Sequence, residues 1–207
     1  MRFILASAST ARLTTLRAAG LHPEVIVSGV DEPAFAAPTP AALAPLLATA
    51  KAEAVFAALA DPRDTIVLGC DSILDIDGEA IGKPGTPEAA VALLRRTRGR
   101  AGTLVTGHHL IVARTDVQRV TAVGESIVHV ADLTDAEIAA YVATGEPVHV
   151  AGGFTIDGLG GAFIDRIEGD PHNVVGVSLP LVRHMLAGVG VRWTDLWAVG
   201  DSPHSAY

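Results

Sequence analysis

Residues 69–84 read GCDSILDIDGEAIGKP, and the rest of the chain can be understood from this stretch. The β-rich run at 65–69 predicts a strand that delivers Asp71 at its end. The Asp-Gly pair at 77–78 favours a tight hairpin turn, after which the chain returns to Lys83. The stretch therefore predicts a hairpin-like unit with a carboxylate at one end and an ammonium at the other.

Two interpretations of this pair are open. A carboxylate can hold metal or polarise water while a lysine neutralises phosphate oxygens, so the pair suits a site for phosphate and a divalent cation. The simpler interpretation is that Asp71 only starts a turn and Lys83 only coats a surface. Taken alone, the stretch favours the simpler interpretation, and the rest of the chain has to decide.

The N-terminal segment offers a second place for phosphate. Residues 2–6 predict a short strand, and the hydroxyls of residues 7–10 precede a helical pattern that closes at Gly20. A helix N-terminus presents free N–H groups, and Arg12 would add a guanidinium there. As a lone motif these residues are better explained by ordinary capping, and the sequence contains no Walker-type phosphate loop.

Two more charged groups lie in the next segments. Asp31 and Glu32 precede a proline, where they present carboxylates to a metal or form a solvated loop. Ala and Leu at helical spacing over 40–60 predict a long helix that carries Lys51. A single lysine on a helix usually faces solvent, so these residues need support from elsewhere.

The second half of the chain predicts paired strands and a glycine-dense segment. Strands near 102–113 and 120–130 pair through a turn at 115–116. His108 and His109 point to opposite faces of the first strand, so we expect structural or hydrogen-bonding roles for both. The remaining predictions are a capped helix at 134–144, a glycine-dense stretch at 151–161, strands at 162–167 and 172–177, a last helix from 180 and a surface appendage from about 192.

Composition limits the class of protein. The chain has 207 residues, 49% of them apolar, and a net charge of -8, which argues against nucleic acid or an anionic membrane as partner. Cys70 is the only cysteine, so we expect no intrachain disulfide, no cysteine zinc site, and a cytoplasmic location. We expect no signal peptide, because residues 1–6 are followed at once by Ser, Thr and Arg, and no membrane span, because prolines interrupt the apolar run at 33–60.

Taken together, these pieces resemble the Maf family of nucleoside triphosphate pyrophosphatases over nearly the whole chain. The matching positions follow the family's order: Ser7, Ser9 and Arg12; Asp31 and Glu32; Lys51; Asp71; Gly82, Lys83 and Pro84; Thr106 and Gly107; the segment 151–160; and Val174 to Gly176. The resemblance implies hydrolysis of the α–β phosphoanhydride of a nucleoside triphosphate to a nucleoside monophosphate and pyrophosphate.

The resemblance also implies roles for individual residues. Asp71 would accept the proton of the attacking water, and Glu32 with Asp71 would hold a divalent cation, Mg or Mn. The groups implied to bind the triphosphate are Ser7, Arg12, Lys51 and Lys83.

Three positions depart from the pyrimidine-preferring members, which carry arginine, threonine and glutamine where this chain has Ala11, Ser72 and Asp157. Glutamine both donates and accepts, whereas a carboxylate only accepts, so Asp157 favours a base that donates, such as guanine or 7-methylguanine. The lysine that usually precedes the Ala-Gly of the late segment is Val150 here. We therefore expect a preference away from dTTP and UTP, towards non-canonical or modified nucleotides.

The implied fold class is α/β: an elongated mixed β-sheet flanked by helices, with two lobes around a central cleft, similar to the inosine triphosphate pyrophosphatase-like fold. One domain would cover residues 1–207, and a homodimer is usual in the family. The alternative function is a nucleotide-binding regulator of cell division and septum formation with little turnover. Retention of Asp71 beside the cationic positions favours the enzyme, because a binder need not keep a water-activating carboxylate.

Overall fold

The computed structural model describes residues 1–197, and within them one mixed β-sheet is flanked by helices. The strands are β1 Arg2–Leu5, β2 Glu24–Val25, β3 Thr65–Ile76, β4 Glu79–Ile81, β5 Ala101–Ala113, β6 Val117–Val130 and β7 Ile164–Glu168. The helices are α1 Thr10–Ala18, α2 Pro40–Ala58, α3 Pro87–Thr97, α4 Asp135–Ala143, α5 Pro171–Val175 and α6 Leu179–Gly188. The expected α/β class is confirmed.

The sheet order is β2-β1-β3-β5-β6-β7, with β4 paired to β3. β1 runs parallel to β2 and β3, whereas β3, β5, β6 and β7 pair antiparallel in turn. The predicted turn between β3 and β4 is present, since Asp77 and Gly78 both have positive φ, at 57° and 83°. The predicted pairing of β5 with β6 through residues 114–116 is also confirmed.

Helices cover both faces of the sheet. Successive residues of the central strands point to opposite sides, and the buried residues on each side pack against helices. Leu68 and its neighbours on one face pack with Leu16 of α1 and Leu186 of α6. Val67 on the other face packs with Ala52 and Val55 of α2. The sheet is therefore a central layer between helices.

α2 lies directly on the sheet at two glycines. A Cβ on Gly69 would lie 2.3 Å from the carbonyl oxygen of Ala48, and one on Gly107 would lie 2.4 Å from the backbone of Ala44. Gly107 pairs with Asp71 across β3 and β5. The close approach places the same face of α2, including Lys51, against the strand that carries Asp71.

Two of the expected elements are wrong. Asp71 does not end a strand: β3 continues to Ile76 because its pairing with β5 extends to residue 75. The strand expected at 172–177 is the short helix α5, because the Asp170 carboxylate accepts from the N–H of His172, Pro171 occupies the first turn, and Gly176 ends the helix with φ 117°.

Two further segments differ in part from expectation. α2 is long and apolar enough, by length and composition, to cross a membrane, and Pro45 lies inside it without breaking it. Its packing on β3 and β5 is that of a helix covering a sheet. In the segment expected to be an appendage, Trp193 and Leu196 pack against the core, and residues 198–207 lie outside the described part.

Candidate active site

One cleft of about 840 Å³ gathers the nine residues to which the resemblance gave a catalytic, phosphate, metal or base-recognition role. All nine line it: Ser7, Ala11, Arg12, Glu32, Lys51, Asp71, Ser72, Lys83 and Asp157. They come from six places along the chain, and apolar side chains such as Leu47, Ile81 and Phe154 line the cleft between them. The combination of polar groups on an apolar lining is typical of small-molecule sites.

Lys51 lies between two carboxylates. Its Nζ is 2.5 Å from Oδ1 of Asp71 and 2.6 Å from Oε1 of Glu32. The side chains of Lys51 and Asp71 are each 11% exposed, whereas that of Glu32 is 53% exposed. One ammonium therefore partners a buried and a half-exposed carboxylate at the wall of the cleft.

Asp71 has the electrostatic environment of a proton acceptor. Burial raises its pKa above the ordinary value of 3.8, and this effect outweighs the opposing attraction of Lys51 and Arg12. A carboxylate with a raised pKa is a stronger base at neutral pH than an ordinary aspartate. Asp71 can thus accept a proton from a group held in the cleft.

Arg12 is held in place through three of its five N–H groups. Nε donates to the carbonyl of Gly176 at 2.7 Å, and the two terminal nitrogens donate to Ser7 Oγ at 3.2 Å and Ser72 Oγ at 3.0 Å. Gly176 is required there, since a Cβ would lie 2.9 Å from Nε of Arg12. Two N–H groups of a fixed guanidinium are left for an anion in the cleft.

A chain of hydroxyls supports Arg12 from behind. Thr106 is fully buried and donates to the carbonyl of Asn173 at 2.9 Å. Its single proton is therefore used, so Ser72 donates to Thr106 at 2.9 Å and accepts from Arg12. The hydroxyl of Ser72, which the sequence suggested for base recognition, is engaged with the arginine.

The start of α1 keeps the features of an anion site. Ser9 caps the helix by accepting from the N–H of Arg12 at 3.3 Å. Ser7 Oγ accepts from the N–H of Ser9 at 3.1 Å and from Arg12, which leaves the Ser7 hydroxyl proton free to donate into the cleft. Ala11 lines the cleft one residue before the arginine.

Lys83 and Asp157 lie on two exposed loops of the cleft. Lys83 follows β4 in the connection to α3, and Asp157 lies in the glycine-rich segment after Phe154. The expected structural roles of His108 and His109 fit the geometry: Nδ1 of His108 contacts the carbonyl of Thr106 and Nε2 accepts from the N–H of Ser178, while Nδ1 of His109 contacts Thr121.

Three contributors to the site are not apparent from the sequence. Thr106 and Gly176 were matched to a family pattern without a role, and the structure places both around Arg12. Glu146, in a short 3-10 turn after α4, was not singled out, although it holds the segment that carries Asp157. Its position between Gly145 and Pro147, just before the glycine-dense segment, was the available signal.

Glu32 and Asp71 fit a hard divalent cation in one respect and not in another. Mg²⁺ is usually held by one or two carboxylates with the remaining positions taken by water and substrate phosphates, and these two carboxylates converge on one point. That point is where the Lys51 ammonium lies, so a cation there would compete with it. Within residues 1–197 no group of three or more His, Cys, Asp or Glu could hold a metal by itself.

The fold and the cleft define a class: an α/β protein whose cleft combines a base-like carboxylate with Arg12, Lys51 and Lys83, which suits the handling of a phosphorylated small molecule. The chain belongs to the Maf family, since the family model described as Maf-like protein matches residues 2–189.

Two relatives match this chain over nearly their whole length. A protein of Streptomyces coelicolor named nucleoside triphosphate pyrophosphatase is 55% identical over 200 residues, 97% of this chain and 96% of its own. A protein of the same name from Cutibacterium acnes is 52% identical, with 94% of each chain covered. A solved structure titled as the Staphylococcus aureus Ham1 protein is 16% identical with a TM-score of 0.48, covering 91% of this chain and all of its own.

Proposed function

We propose that this chain is a nucleoside triphosphate pyrophosphatase, which hydrolyses the α–β phosphoanhydride to a nucleoside monophosphate and pyrophosphate. The observation that carries the proposal is the convergence in one cleft of Asp71, with its raised pKa, and the cations of Arg12, Lys51 and Lys83. Relatives that match this chain over nearly their whole length are named nucleoside triphosphate pyrophosphatase. The substrate would be a non-canonical or modified nucleotide, or one present in excess.

The proposed reaction assigns a task to each charged group. Asp71 takes a proton from the attacking water as the new P–O bond forms and the α–β anhydride bond breaks. Arg12, fixed by Ser7, Ser72 and Gly176, donates to phosphate oxygens. Lys83 and Lys51 offset the charge that develops on the departing pyrophosphate.

The Ser7 hydroxyl, which accepts its two other hydrogen bonds, donates a hydrogen bond to a phosphate oxygen. A divalent cation, Mg or Mn, would be held by Glu32 and Asp71 together with substrate phosphates. Such a cation supplies charge neutralisation and polarises phosphoryl oxygens. Because Lys51 lies between the same carboxylates, it would turn towards phosphate when a cation binds there.

Base selection is assigned to Ala11, Ser72 and Asp157. Asp157, which only accepts hydrogen bonds when ionised, favours guanine-type bases with donors on their edge. Ala11 leaves room in the cleft beside Arg12. Ser72 contributes through Arg12, because its hydroxyl is bound to the guanidinium and to Thr106.

The location, domain extent, partner and oligomeric state complete the proposal. We place the protein in the cytoplasm as one domain over residues 1–207, with a free buried Cys70. The partner is a nucleoside triphosphate, and neither nucleic acid nor a membrane is expected because the net charge is -8. A second copy of the chain would form the homodimer usual in the family.

Pyrophosphate release from a panel of nucleoside triphosphates with Mg²⁺ or Mn²⁺ tests the proposal. The panel includes ATP, GTP, CTP, UTP, dTTP and 7-methylguanosine triphosphate. Turnover with equimolar pyrophosphate and monophosphate supports the enzyme, and dTTP or UTP as clearly the best substrate overturns the assignment of base preference. Binding without turnover of any nucleotide favours the nucleotide-binding regulator of division.

A further inference from the structure

The Glu146 carboxylate is the meeting point of four hydrogen-bond donors. Oε1 accepts from the Tyr141 hydroxyl at 2.8 Å, the Thr155 hydroxyl at 2.7 Å and the N–H of Gly160 at 2.9 Å. Oε2 accepts from the N–H of Leu159 at 3.0 Å. Three of the four donors belong to the glycine-rich segment, and the fourth comes from α4.

Two glycines of that segment are required for this geometry. A Cβ on Gly158 would lie 2.6 Å from Oε2 of Glu146, and one on Gly160 would lie 2.3 Å from the Tyr141 hydroxyl oxygen. Side chains at either position would therefore push the backbone N–H groups away from the carboxylate. The hydrogen bonds to the Glu146 carboxylate therefore depend on glycine at both positions.

The same segment forms part of the cleft. Thr155, Ile156 and Asp157 line it, whereas Glu146 contacts the segment without lining the cleft. Thr155 links Glu146 to the cleft, because its hydroxyl donates to Glu146 and the same residue lines the cleft. The position of Asp157 in the cleft depends on how the segment is held on both sides of it.

We propose that Glu146 is a positioning residue that fixes the segment 155–160 and thereby sets how strongly the enzyme discriminates between bases. The inference rests on the proposed function, because it gives the segment the task of reading the base. Glu146 does not touch the reacting atoms. It acts by fixing where Asp157 and Ile156 meet the base.

The carboxylate is suited to this task over a wide range of pH. Burial by itself would raise its pKa, but the hydrogen bonds from Thr155, Leu159, Gly160 and Tyr141 lower it to about 2. Glu146 is therefore ionised at neutral and mildly acidic pH. All four partners donate, so only a group with acceptors on both oxygens satisfies them.

The isosteric substitution Glu146→Gln isolates this requirement. An amide keeps the shape but turns one acceptor into a donor, which must face either the N–H of Leu159 or the three donors at Oε1. At least one bond is lost and one donor is left facing another. Tyr141→Phe is the milder companion, because it removes one donor and leaves the carboxylate with three.

Amide exchange and base discrimination are the two readouts. In Glu146→Gln we expect amide exchange of residues 155–161 to accelerate about tenfold or more, with strands β3 and β5 unchanged. The ratio of kcat/KM between the best and the poorest nucleotide of the panel narrows about tenfold, while inhibition by inorganic pyrophosphate stays within about twofold. Tyr141→Phe gives a smaller change of the same kind, and the exposed Glu125→Gln changes neither readout.

The outcomes separate this inference from the proposed function. The positioning role is overturned if amide exchange and base discrimination in Glu146→Gln match those of the unaltered protein. It is also overturned if pyrophosphate inhibition weakens in parallel with nucleotide turnover. If Glu146→Gln does not fold, Tyr141→Phe decides by the same two criteria. If the unaltered protein releases no pyrophosphate from any nucleotide, the proposed function fails while amide exchange still decides whether Glu146 holds the segment.

Discussion

Replacement of Lys51 by methionine should destabilise the fold, because it leaves the buried Asp71 carboxylate without its ion-pair partner. Methionine keeps most of the length and volume of lysine but removes the ammonium that lies 2.5 Å from Asp71. Glu32 is half exposed and recovers its hydration, whereas Asp71 stays buried without a partner. Removing one partner of a buried ion pair costs about 3–5 kcal/mol.

The cost should depend on pH in a defined direction. The pKa of Asp71 is already raised by burial, and loss of Lys51 raises it further. A group whose folded pKa lies above its unfolded value stabilises the fold below that pKa and loses this contribution as pH rises. The destabilisation by Lys51→Met is therefore larger at high pH and shrinks as pH falls through the raised pKa of Asp71.

Urea unfolding at several pH values measures this effect. With an m-value of about 2 kcal/mol/M, the expected cost lowers the midpoint by about 1.5–2.5 M at pH 8. The matched control is Lys51→Met combined with Asp71→Asn, which removes both buried charges and should regain most of the loss. A loss that is the same at pH 5 and pH 8, or the same in the double variant, would show that Asp71 is not an unpaired buried charge in Lys51→Met.

Three other predictions concern groups around the site and in the core. Thr106→Val removes the hydroxyl that orients Ser72 towards Arg12, so kcat/KM for pyrophosphate release falls about tenfold, while Thr106→Ser keeps near-normal values. Burial lowers the pKa of His108 from 6.5 to about 4, so the free energy of unfolding declines by about 3 kcal/mol as pH falls from 6.5 to 4, and a pH series on His108→Gln should lack this decline. Cys70 is fully buried with its pKa raised by burial to about 12, so a thiol reagent at neutral pH should label it only at the rate of unfolding; rapid labelling of the native protein contradicts this.

Local patterns in the sequence predicted most of the elements correctly. The Asp77-Gly78 turn, the pairing of β5 with β6 and the long helix around Lys51 all follow from spacing within one segment. α5 was not predicted because Val174 and Val175 favour a strand in isolation. The cap of Asp170 and the proline after it decided in favour of a helix.

The resemblance picked out residues that line one cleft, but the geometry of the cleft was not predictable. Nothing in the sequence indicates that Lys51 lies between Glu32 and Asp71, because this depends on α2 approaching the sheet over Gly69 and Gly107. The engagement of Ser72 with Arg12 depends in the same way on contacts between distant segments. Such contacts are set by packing in three dimensions, which a single sequence does not display.

Asp71→Asn is the sharpest test, since the proposed reaction needs this carboxylate as the proton acceptor for the attacking water. Pyrophosphate release is measured side by side for the unaltered protein and the variant, with the best nucleotide of the panel and Mg²⁺ or Mn²⁺. We predict equal folding by circular dichroism and a rate lowered about a hundredfold or more in the variant. A folded Asp71→Asn that releases pyrophosphate at the unaltered rate would contradict the account.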